Sequence, residues 1–126
     1  MNGMSNPKQI EYFSNLKADI AILPELKQKN IEALKANDAV WMTNNHVNKV
    51  PKGLGVLSFG DWKLDLLDFD KDMELYIPIK VLSAKINFNL LAVWNFYYAC
   101  KQGRFMGAKG DAQLEWAAIE QYSNQL

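Results

Sequence analysis

A chain of 126 residues fits one domain and excludes an enzyme with a separate substrate lobe. Hydrophobic residues at 49% and charged residues at 22% match a folding globular chain, and fourteen Lys+Arg against fourteen Asp+Glu leave no net field, so any charged site is local. A single cysteine, Cys100, excludes an intrachain disulfide framework and a Cys-rich zinc site, and with no leader-like N-terminus and no long apolar window the expectation is a soluble cytoplasmic protein that does not enter a membrane.

In chain order, Asn6-Pro7 reads as an N-cap followed by a proline at the first helical position. Ile10, Phe13 and Leu16 or Lys17 then recur at helical spacing, and the helix is expected to end near Lys17. Residues 18–23 are a nearly continuous apolar run stopped by Pro24, which suits a parallel, central strand buried on both faces. Leu26, Ile31 and Leu34 predict a second helix through Ala36, closed by Asn37-Asp38.

The texture then changes. Residues 39–42, 54–59, 62–67, 75–82 and 86–94 are short β-branched or aromatic runs whose tight spacing predicts consecutive antiparallel hairpins. Pro78 interrupts one run, and a proline cannot donate to a ladder, so that strand is expected at an edge or at a bulge. Residues 95–110 read as irregular, and a final helix from Asp111 carries Trp116, Ile119, Tyr122 and Leu126 on one stripe. With no repeat or linker, residues 1–126 form one α/β domain.

Few constellations carry chemistry. Glu25 follows a buried strand directly, where α/β sheets build ligand sites and where a fixed carboxylate oxygen suits a hard divalent cation; the plainer reading is a glutamate at a helix N-terminus. Asp68, Asp70 and Asp72 alternate like the start of an EF-hand loop, but Met73 stands where that loop needs glycine and Ile79 where it needs glutamate, so a solvated acidic hairpin loop is expected. His46 is the only histidine and lies in a polar stretch read as a loop, which leaves no multi-His metal site. The segment holding Phe96, Tyr97, Tyr98, Lys101, Arg104 and Phe105 interleaves rings with cations, as a nucleic-acid contact would and as packed loops also do. Cys100 has neither a CxxC partner nor a neighbouring His, which argues against a nucleophile.

Taken together, Lys17-Ala18-Asp19-Ile20-Ala21-Ile22-Leu23-Pro24-Glu25, Lys52-Gly53-Leu54-Gly55-Val56-Leu57-Ser58 and Phe88-Asn89-Leu90-Leu91-Ala92-Val93-Trp94 resemble, in order, elements of the endonuclease/exonuclease/phosphatase family, the exonuclease III-like metal-dependent phosphodiesterases. The resemblance implies an α/β fold: a mixed β-sheet with flanking helices, like the N-terminal half of the family's four-layer α/β sandwich, truncated at both ends. It implies Mg²⁺ as cofactor, Glu25 as metal ligand and, more weakly, Asn2, Tyr98, Lys101 and Arg104 as substrate contacts. The upstream Trp-Asn, the Gly-Asp-x-Asn motif and the Asp-His pair of the family are absent from the sequence.

The functional expectation is therefore a partial or degenerate nuclease-like domain without full hydrolase activity as a single chain. The alternative is a non-catalytic module that binds protein or nucleic acid, such as an inhibitor or regulator of a nuclease system; an unrelated small α/β protein is the third reading. An uncovered apolar sheet face would call for a homodimer or a tight protein partner.

Overall fold

The structure is a computed structural model that describes residues 4–43, 52–70, 75–94 and 123. Helix α1 spans Pro7–Asn15, and its start follows the sequence signal: the Asn6 side chain accepts from the Lys8 N–H at 2.9 Å and Pro7 takes the first turn, where its missing donor is not needed. Among the described residues six strands follow: β1 Ile20–Lys27, β2 Asp38–Thr43, β3 Lys52–Ser58, β4 Lys63–Leu66, β5 Tyr76–Leu82 and β6 Asn87–Val93. Among the described residues no helix is long and apolar enough to cross a membrane.

The strands form two three-stranded sheets, ordered β1-β3-β2 and β4-β5-β6, and every described ladder is antiparallel. The chain is thus a small α/β domain with two antiparallel sheets where one mixed sheet is expected. The five later strands follow the apolar runs to within about two residues, as alternating patterns usually allow.

β1 departs from expectation in three ways. It is an outer strand of its sheet, it pairs antiparallel to β3, and its early residues alternate, with Ala21 and Leu23 buried and Ile22 exposed. A run that is apolar throughout therefore covers only one face. Nor does it stop at Pro24: it continues to Lys27 through an irregularity between Leu23 and Leu26. That extension draws Leu26 into the strand and leaves Ile31 and Leu34 three residues apart. The second helix accordingly appears as two short 3-10 helices, Gln28–Asn30 and Glu32–Leu34, whose three-residue turn matches that spacing.

Pro78 corrects another expectation, because it is fully buried in β5, the middle strand, and the ladder to β6 runs through it without a shift. The two ladders explain this. In an antiparallel strand a residue's nitrogen and carbonyl face the same neighbour, and the Pro78 carbonyl accepts from Leu67 N at 3.0 Å on the β4 side. The last paired residues there are Leu66 and Ile79, so the missing N–H falls just where β4 leaves the ladder.

Two cores result. On one face of the first sheet, Leu23, Leu26 and Leu57 pack with Met4, Phe13 and Leu34, so α1 and the 3-10 turns cover it. On the other face Leu54 and Val56 of β3 pack against Ile77, Ile79 and Val81 of β5 and Ala92 of β6. Burying such side chains is worth about 1.5–3 kcal/mol each before entropy is counted. The second sheet thus covers the face expected to lie open.

The sheets are also joined by polar groups at one end of β3. Asp38 and Ser58 are cross-strand partners; the Asp38 carboxylate accepts from Ala39 N and from Leu64 N, both at 3.0 Å, and the Ser58 hydroxyl donates to the Trp62 carbonyl at 2.9 Å. The Trp62 ring meets Phe88 edge-on, with centroids 6.0 Å apart.

Candidate functional site

Glu25 sits in a bulge. Leu23 pairs with Gly55 and Leu26 with Gly53, so Pro24 and Glu25 together stand opposite Leu54 alone. The extra residue is accommodated by a left-handed backbone at Glu25, φ 59°. For a residue with a Cβ this conformation costs on the order of 1 kcal/mol, which is why glycine usually takes it. Bulges re-aim side chains, and here the Glu25 side chain, on an outer strand of the sheet, leaves the strand's alternation and stays 44% exposed.

The surroundings hold the bulge in place. Directly after it, the Leu26 carbonyl accepts from Trp41 Nε1 at 2.8 Å, and the Leu26 side chain is fully buried. On β3, Lys52 pairs with Lys27, and its carbonyl accepts from the Thr43 hydroxyl at 2.7 Å. Its ammonium lies 3.8 Å from Glu25 Oε2. Lys52 is the neighbour that sequence reasoning did not single out, although it opens the Lys52-Gly53 segment; its cue is the cross-strand register, which the bulge conceals.

Of the expected site residues, Glu25 alone is placed. Asn2, Tyr98, Lys101 and Arg104 lie outside the described residues, as do His46, Cys100 and the expected helix from Asp111. Asp68 and Asp70 are described and Asp72 is not. Among the described residues no group of three or more His, Cys, Asp or Glu converges as a metal cage would.

A magnesium ion does not need such a cage, since it commonly takes one or two carboxylates and completes its octahedron with water and substrate phosphates. Glu25, rigidly based and exposed at its tip, fits that minimal role, with the Lys52 ammonium as a competing cation beside it. Comparisons with protein-family models, with curated proteins and with solved structures each find no match.

Proposed function

We propose that this chain is a degenerate phosphodiesterase-fold domain, nuclease-like in ancestry, that keeps one carboxylate of a metal site and lacks full hydrolase activity by itself. The bulge at Pro24-Glu25 carries this reading: a left-handed non-glycine backbone that projects a carboxylate from an otherwise regular strand costs stability, and such outliers cluster at ligand sites. In this reading Glu25 holds Mg²⁺, which when bound supplies charge stabilisation to a phosphodiester. Lys52 supplies a second positive group within reach of the same phosphate.

His46 is the one histidine of the sequence, so any step that needs an imidazole to activate water would fall to it alone. Removing a member of a concerted catalytic set commonly costs about 10³–10⁶ in rate. A second reading, a non-catalytic binding module, is favoured by the Lys52–Glu25 ion pair, which satisfies the carboxylate without a metal.

Magnesium titration followed by amide chemical shifts, paired with cleavage of an activated phosphodiester, tests the proposal. Millimolar Mg²⁺ binding centred on Glu25, lost in Glu25→Gln, together with cleavage no faster than background, is expected. Strong Mg²⁺-dependent cleavage abolished by Glu25→Gln would overturn the degenerate assignment, and an unresponsive Glu25 region would leave the binding-module reading.

A further inference from the structure

β1 is an outer strand, and the direction of its backbone groups follows from the ladder to β3. In an antiparallel pair a residue's N–H and C=O point to the same side, and that side alternates along the strand. The Asp19 carbonyl accepts from Phe59 N at 2.9 Å, so Asp19 faces β3, and Ala21 and Leu23 face it in turn. Ile20 and Ile22 therefore face outward. Ser58, the cross-strand partner of Ile20, agrees with this, because its carbonyl accepts from Asn37 N on the β2 side. Among the described residues the outward N–H and C=O groups of Ile20 and Ile22 have no hydrogen-bond partner.

Sheets ordinarily protect such edges with charges, prolines, bulges or brevity. β4, another outer strand, has four residues, Lys63 and Asp65 among them. On β1 the protection is confined to one half, where Pro24 lacks a donor and the bulge at Glu25 bends the strand. Residues 20–23 are all apolar and carry no such device. Ala21 and Leu23 are buried in the core that α1 covers, whereas Ile22, on the other face, is 41% exposed.

We propose that this edge pairs with the same edge of a second copy of the chain, antiparallel about a two-fold axis at Ala21. Ile20-Ala21-Ile22 reads identically in both directions, so the axis sets Ile20 opposite Ile22 of the other copy. Each such pair exchanges both main-chain bonds, which satisfies the outward groups, and covers the exposed Ile22 with another isoleucine. An unrelated strand can match the backbone but not this symmetry of side chains. The ends match in charge as well: the end that carries Lys17 and Asp19 in one copy meets the end that carries Glu25 and Lys27 in the other, so cations and anions balance there. Pro24 and the bulge stop the ladder on either side, and an isologous contact closes at two copies. So short a ladder belongs to the transient class of interface, below about 1,200 Å². The pairing is independent of any metal at Glu25, and its test omits Mg²⁺.

Sedimentation equilibrium of the full chain from about 5 µM to 1 mM, with amide hydrogen exchange across the same range, tests it. A monomer–dimer equilibrium with a dissociation constant of about 10–500 µM is expected. Exchange at Ile20 and Ile22 should slow with concentration several-fold more than at Ala21 and Leu23, which β3 already protects. Ile22→Pro removes an outward donor that the ladder to β3 does not use, and Ile22→Lys sets a charge on a half-exposed site. Each should weaken the dimer at least about 10-fold while circular dichroism and Tm show the fold intact. Ile86→Lys, at a more exposed isoleucine outside β1, should leave the equilibrium unchanged. A chain that stays monomeric at about 1 mM, which would leave the edge to another protein's strand, would overturn the assignment. So would a dimer undiminished in both Ile22 variants, or one weakened as much by Ile86→Lys.

Discussion

Trp41 on one outer strand donates its indole N–H to the Leu26 carbonyl on the other, at 2.8 Å, reaching across the middle strand of the first sheet. The bond braces the chain beside the Glu25 bulge. Trp41→Phe keeps most of the ring and removes the donor, leaving the Leu26 carbonyl without this partner. We expect a loss of about 1–3 kcal/mol in urea denaturation, with the amide shifts of residues 25–27 moving more than those of β5.

The indole can cross β3 because Gly53 presents no side chain there, and Gly55 likewise leaves room for the Leu26 side chain. A Cβ at Gly53 would stand 2.6 Å from the Trp41 ring and would also overlap the Met42 carbonyl, while one at Gly55 would stand 2.5 Å from Leu26 Cδ2. Gly55→Ala meets a movable side chain and should cost about 1–3 kcal/mol, as overpacking does. Gly53→Ala meets backbone and should cost more. Equal midpoints for the two variants would contradict this ranking.

Asp38 is expected to matter out of proportion to its position on an outer strand, because its carboxylate holds Leu64 N of the second sheet as well as Ala39 N beside it. Asp38→Ala should destabilise the fold by about 1–3 kcal/mol, and Ser58→Ala by about 1–2 kcal/mol through the orphaned Trp62 carbonyl. A double mutant less destabilised than the sum would show the two contacts acting as one clasp, as residues in cross-strand register should.

Replacing Glu25 by glycine separates backbone strain from chemistry. Relief of the left-handed conformation should outweigh the partly exposed Lys52 pair, raising stability by about 0.5–1 kcal/mol, whereas Glu25→Ala keeps the strain and should give no gain. A Glu25→Gly protein less stable than wild type would mean that the carboxylate serves the fold and not a ligand.

Lys52→Gln removes the cation beside Glu25. If the carboxylate is a magnesium ligand, affinity should rise about 3–10-fold while stability changes by less than about 1 kcal/mol. Titration of the variant beside wild type checks both. Unchanged affinity would place the ion outside the reach of Lys52.

Strand after strand from β2 to β6 was legible in the sequence because each run alternates or is bounded by turn residues, and the Asn6-Pro7 start of α1 was legible because capping chemistry is local. The rest depended on neighbours. No glycine marks the left-handed positions at Lys17, Glu25 and Lys35, so neither the bulge nor the two helix ends announce themselves. Pro78 in a middle strand becomes tolerable only once it is known where β4 leaves the ladder. The covered face of the first sheet, likewise, follows from how two sets of hairpins meet, which no single segment encodes.

Among the described ladders, the one that joins β1 to its sheet is the one that skips a strand. The pairs β2-β3, β4-β5 and β5-β6 link neighbours in sequence, but Ile20 must find Ser58 and Lys27 must find Lys52. Closing that span is slower than zipping hairpins, since loop entropy is lost before contacts form. The strand that carries Glu25 is therefore expected to dock late in folding and to peel away early, so its amides should exchange with solvent sooner than those of β5. Anything bound at either end acts as a latch on the final step of folding, and would appear in kinetics as slower opening of β1 with the hairpins unaffected.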